Sequence, residues 1–156
     1  MKILKRLNAV TAVEKMDFDT FFGIMKKHKN DATEIVNKAL APIFNKLPAP
    51  LYKASESYER VAFNLASDIV KQSYKNTVYF TVDTKDDNTS CSITIDDKFK
   101  AQCDLHISTN FMDFGEVKQF ADFTKALASI SQKDFDSAIK KARAEMEKAL
   151  DKWSKE

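Results

Sequence analysis

Between Asn76 and Asn110 the spacing of apolar residues changes from a helical to an alternating pattern. This change restricts the fold more than any other feature, because a strand shows its faces with period 2 and a helix with period 3.6. In Asn76–Thr84 the apolar residues are Val78, Phe80 and Val82; in Thr89–Asp96 they are Cys91, Ile93 and Ile95. In Phe99–Ser108 they are Phe99, Ala101, Cys103, Leu105 and Ile107. Lys85-Asp86-Asp87-Asn88 and Asp96-Asp97-Lys98 are the turns between them. Three strands so closely spaced predict a three-stranded antiparallel meander over about residues 76–109.

Neighbouring strands must turn their apolar sets to one face, so a slip of one residue is forbidden. An even first loop pairs Val78 with Ile95, Phe80 with Ile93 and Val82 with Cys91. A three-residue second loop pairs Ile95 with Phe99, Ile93 with Ala101 and Cys91 with Cys103, which sets the two thiols opposite each other on the buried face. The other face carries Thr77, Tyr79, Thr81, Asp83, Thr94, Gln102, Asp104 and His106 and is expected to stay open. The first strand has no charge before Asp83 and no proline, so it must be covered, paired with a second copy, or offered to a partner.

Both flanks read as helix. Thr11–Lys29 carries the stripe Phe18, Phe21, Phe22, Met25 and His28, with Thr11 or Asp17 as the cap. A second stripe runs from Ala32 to Ile43 and is expected to kink or break near Ala41, ahead of Pro42. Leu47-Pro48-Ala49-Pro50 is a corner. A third helix runs from Ser55 or Ser57 to about Lys75 and is apolar on two sides, one of them Phe63, Ala66, Val70 and Tyr74, so it should be sandwiched or covered by a partner. Asp113–Ser131 and a last helix from Ser131 or Asp134 follow. The last helix has a narrow seam that includes Ile139, Met146, Leu150 and Trp153, which could pack within the chain or against a second copy. The expected fold is a single α+β domain over residues 1–156. Its helical part is 1–75, its meander 76–110 and its closing helical pair 111–156, with all helices on one sheet face.

Composition narrows the chemistry. With 2 Gly in the chain there is no glycine-rich phosphate cradle. The 25 basic and 23 acidic residues leave a net charge of +2, and Arg6, Arg60 and Arg143 are the only arginines, which argues against base-specific DNA reading. Two cysteines make no disulfide scaffold, and two histidines on different elements make no metal site. No run approaches the length of a membrane span, so a cytoplasmic protein without membrane or cofactor is expected. Asp113-Phe114-Gly115 matches a kinase triplet but lacks every other kinase motif.

The leading expectation is a non-enzymatic protein-binding regulator, an inhibitor or adaptor of the kind that phages and viruses direct at host proteins. It would be homodimeric and act through the sheet edge or the open face. A first alternative is nucleic-acid binding through the basic–aromatic clusters that hold Lys26, Lys27 and Lys29 and, with Tyr74, Lys71 and Lys75. A second is a small enzyme using Asp104 and His106, which share a face two residues apart.

Overall fold

The computed structural model describes residues 16–48, 51–52, 54–83, 89–107 and 114–156. Among them the chain forms helices α1 (Phe18–Lys27), α2 (Lys29–Phe44) and α3 (Ala54–Ile69), with the two-residue strand β1 (Leu51–Tyr52) before α3. Strands β2 (Val78–Asp83), β3 (Thr89–Ile95) and β4 (Ala101–Ile107) follow, then α4 (Phe114–Ala128) and α5 (Gln132–Ser154). The fold is α+β, with three helices before the antiparallel meander and two after it. Thr11, the Lys85–Asn88 turn and Asp113, where the fourth helix was expected to start, lie outside the described residues.

Local chemistry sets the helix ends. Asp17 caps α1, its Oδ1 accepting from the Thr20 N–H at 2.7 Å. Ser131 and Asp134 form a reciprocal capping box at the start of α5. The helix α2 continues through Pro42 to Phe44, where the sequence suggested a break near Ala41. Pro42 lies in the last turn, so only one backbone bond is lost and the following Asn45 N–H still reaches the Ala41 carbonyl at 2.8 Å. The third helix ends at Ile69 and not at Lys75, because Lys71 takes a left-handed conformation (φ 59°) and the Gln72 N–H closes onto the Ser67 carbonyl.

The first hairpin has the expected register: Val78 faces Ile95, Phe80 faces Ile93 and Val82 faces Cys91. The second is shifted by two residues, with Ile95 facing Ala101, Ile93 facing Cys103 and Cys91 facing Leu105. The predicted Cys91–Cys103 pairing is therefore corrected to a diagonal one, and both thiols are free. Asp96 causes the shift. Its Oδ1 accepts from both the Lys98 and Lys100 N–H groups at 2.9 Å, and its own N–H donates to the Lys100 carbonyl. This draws Phe99 out of the strand and into the loop at φ 62°, a conformation costly for a bulky residue. Burial of the Phe99 ring beneath the Arg143 guanidinium, 5.4 Å from its centroid, offsets that strain.

Val78, Phe80, Val82, Cys91, Ile93 and Ile95 form a buried sheet face, with α2 and α3 packed against β2 and α4 against β3 and β4. Phe44 of α2, Tyr58 of α3 and Phe80 of β2 nest together, with Phe44 and Phe80 centroids 4.8 Å apart and Tyr58 and Phe80 5.3 Å apart. Ile139, Met146, Leu150 and Trp153 are buried in this same core, so the seam packs within the chain. His28, at the junction of α1 and α2, stacks on Trp153 at 4.5 Å and lies 3.0 Å from Glu156 through Nε2. It ties the start of the helical layer to its end.

Candidate binding groove

The helix α1 carries more aromatic surface than one buried stripe can use. Phe21 and Met25 face the core, while Phe18 and Phe22 remain 43% and 50% exposed, their rings stacked 5.9 Å apart. The second apolar side of α3 is likewise only partly covered. Ala66 and Val70 are buried, but Phe63 is half-buried, and Tyr74, edge-on to it at 5.7 Å, is 59% exposed. These two unfinished faces meet. Between them lies a groove of about 680 Å³, within the usual size range of a ligand site.

One wall is Phe22, Met25 and Lys26 of α1 with Lys29 and Ala32 of α2. The other is Glu59, Arg60 and Phe63 of α3 with Tyr74, and the far end is the chain leading into β2 through Asn76 and Thr77 to Val78. The buried side chain of Asn64 holds that end in place. Its Nδ2 donates to the Asn76 carbonyl at 2.6 Å and its Oδ1 accepts from the Asn76 N–H at 3.4 Å, as a neighbouring strand would. Asp68 fixes the same segment from below, accepting from Lys75 at 2.8 Å and pairing with Arg143 of α5 at 2.7 Å. Burial alone would raise the Asp68 carboxyl, but the hydrogen bonds from Lys75 and Arg143 outweigh it and hold the group below its ordinary value.

The groove is electropositive. Lys26 has no carboxylate partner among the described residues. Lys29 is 3.7 Å from Glu59, and Arg60 is 3.0 Å from Glu56 one helical turn away. Both pairs are exposed, so water and salt screen them and a ligand can replace them at little cost.

The sequence-derived candidates divide. The two basic–aromatic clusters, far apart in sequence, converge here through Lys26, Lys29 and Tyr74. Lys27 and Lys75 do not line the groove: Lys27 pairs with Glu156 at 3.5 Å and Lys75 with Asp68 at 2.8 Å. Lys71 occupies the left-handed turn after α3. Phe22, Arg60 and Phe63 were absent from the expected site, although the two-sided apolar pattern of α3 had signalled an uncovered face.

The other expected surface is the open sheet face. Tyr79, Thr94 and Gln102 form one cross-strand row and Thr81, Ser92 and Asp104 another. Tyr79 is 62% exposed, and Gln102 and Asp104 are exposed. The side chains of Asp83 and His106 lie outside the described residues, and with them half of the Asp104–His106 pair. The edge of β2 is occupied on its outer side: Leu51 and Tyr52 pair with Val82 and Thr81, and the Ser57 hydroxyl donates to the Tyr79 carbonyl at 2.6 Å.

Burial pushes the Cys91 thiol up to about 12, with Cys103 and Asp104 adding to the shift, and it raises Cys103 as well. These are packing residues with little thiolate. Among the described residues no three His, Cys, Asp or Glu side chains are grouped to hold a metal, and no helix is long and apolar enough to cross a membrane. Comparison with protein-family models, with curated proteins and with solved structures finds no match.

Proposed function

We propose that this chain is a non-enzymatic binding protein that acts on another protein, as an inhibitor or adaptor, through the groove between α1 and α3. One observation carries the reading: of the four exposed large apolar side chains among the described residues, Phe18, Phe22, Tyr74 and Tyr79, two, Phe22 and Tyr74, stand about half exposed on facing walls of one formed concavity. Exposed aromatics at the rim of a pocket with an apolar floor are the usual anchors of protein recognition. The described part of the groove holds Glu59 as its only carboxylate and no histidine or cysteine, which gives catalysis little to work with. Two free, protonated thiols suit a reducing compartment, and we place the protein's work in the cytoplasm. The β2 edge is a poor surface for homodimerisation, because β1 and Ser57 already occupy it.

The test is site-directed photo-crosslinking of the full chain in the cells that encode it. A photoreactive phenylalanine analogue replaces Phe22, Tyr74, Thr94 or Gln102 in turn. A discrete protein adduct at positions 22 and 74 and none at 94 and 102 is expected. Adducts confined to 94 and 102 would move the site to the open sheet face and end the groove reading. The convergence of Lys26, Lys29 and Tyr74 favours a second reading, a single-stranded nucleic acid stacked on the aromatics; adducts that nuclease removes would select it.

A further inference from the structure

The charges around the groove identify its ligand more closely, and the step rests on the protein-binding reading above. We infer that the groove takes an acidic segment of a partner carrying one large apolar side chain, the side chain seated between Phe22 and Tyr74 and its flanking carboxylates on Lys26, Lys29 and Arg60. Three cations and one carboxylate line the groove, and the cations stand on both walls. A ligand in the groove therefore meets positive charge on either side of its anchor. The floor is apolar, with Met25, Ala62 and Val78 below the rim, so it fits an apolar side chain.

The same geometry disfavours a polyanion. A nucleic-acid strand needs cations repeated along its phosphates, each contributing to the salt dependence of binding. Here Lys27 and Lys75 do not line the groove, and the cations that do share it with Glu59. A peptide with two or three carboxylates can place them on the cations and avoid Glu59. The existing partners of Lys29 and Arg60 are exposed carboxylates, which are readily exchanged for those of a ligand.

The experiment uses the full-length chain and four ligands: a peptide with a central Phe flanked by glutamates, the same peptide with Gln for Glu, the same with Lys for Glu, and an oligothymidylate. Binding is read by fluorescence anisotropy, and its location by the amide resonances of Asn76 and Thr77. The glutamate peptide is expected to bind about tenfold tighter than the Gln peptide, as three partly screened ion pairs would give. Lys26→Glu should reduce that advantage about three- to tenfold, whereas Lys148→Glu, on the exposed face of α5, should leave it unchanged. Tyr74→Ala should weaken both peptides, and its circular dichroism spectrum checks that the fold is kept. Equal binding of the Glu and Gln peptides, both lost in Tyr74→Ala, would overturn the acidic selection and leave a protein-binding groove standing. A preference for the Lys peptide would do the same. Oligothymidylate binding that shifts Asn76 and Thr77 where no peptide does would overturn both readings.

Discussion

Asp68 is the point at which α3, α5 and the segment leading into β2 are held to one another, so its replacement tests the packing directly. Its carboxylate meets Lys75 at 2.8 Å and Arg143 at 2.7 Å, and the three side chains are 27–31% exposed. A fully exposed pair is worth about 0.2–1 kcal/mol, and a charge-assisted hydrogen bond away from water about 1.5–3 kcal/mol. Partial exposure places each of these two near 1 kcal/mol. Asparagine keeps one acceptor and turns its NH₂ toward the other cation, so Asp68→Asn is expected to cost about 1–2 kcal/mol near neutral pH. Acid gives an independent check. The folded-state pKa of Asp68 is below its ordinary 3.8, so near that pH the unfolded chain binds more protons. The stabilisation is present above 3.8 and is lost as the pH falls through the lower folded value. The capping residues Asp17 and Asp134 are also lowered, by the backbone N–H groups of Thr20 and Ser131, and they destabilise both proteins equally in acid. Urea unfolding followed by circular dichroism should therefore show a gap between wild type and Asp68→Asn that closes as the pH drops below 3.8. A variant within about 0.3 kcal/mol of wild type at neutral pH, or a gap that persists unchanged into acid, would refute the bridging role.

Gly23 lies within α1, and a Cβ built there meets nothing within 4 Å, so Gly23→Ala should stabilise the protein by about 0.5–1 kcal/mol in the same urea assay. Ser131→Ala removes the acceptor for the Asp134 N–H and should cost about 1 kcal/mol, while Ser131→Asp should recover most of it. A thiol reagent at mildly alkaline pH should find Cys91 about a thousandfold less reactive in the native protein than in denaturant, since its pKa moves from 9.0 to about 12. Equal native and denatured rates would place Cys91 at the surface and discredit the sheet register.

Much of the fold could be read from the sequence because strand parity leaves few choices. Val78, Phe80, Val82, Cys91, Ile93 and Ile95 could only share a face, and the first hairpin has the register they require. Parity cannot distinguish a shift of two residues, since every side chain stays on its own face. That is why the second hairpin was misplaced: its register is decided by the Asp96 carboxylate gathering the Lys98 and Lys100 N–H groups. The two-residue β1 was invisible for another reason. Leu51–Tyr52 is too short to show a period and pairs only because the turn after α2 brings it alongside β2. The groove was legible only as excess, with Phe18, Phe21, Phe22 and Met25 on the α1 stripe where α1 buries Phe21 and Met25, and a second apolar side on α3. The pattern shows that such surface exists. Which part of it stays exposed depends on how α1 and α3 pack.

The treatment of the β2 edge accounts for where the groove lies. A strand with no proline and no charge before Asp83 needs its outer backbone groups satisfied, and here three devices share the task. β1 pairs with Thr81 and Val82, the Ser57 hydroxyl takes the Tyr79 carbonyl, and the Asn64 amide takes both backbone groups of Asn76. Two of the three are side chains of α3, so α3 must run close beside the edge. A helix held there turns its Phe63 side outward past the end of the sheet, where among the described residues α1 packs against it and brings Phe22 and Lys26. The edge is thus closed to strand addition by the same placement that opens a concavity at its start. Asn64→Ala should accordingly do two things at once: cost about 1–3 kcal/mol by leaving the partly buried Asn76 carbonyl unpaired, and loosen the end of the groove. If the stability cost appears but the glutamate peptide binds as before, Asn64 serves the sheet alone, and the coupling between a closed edge and an open groove is wrong.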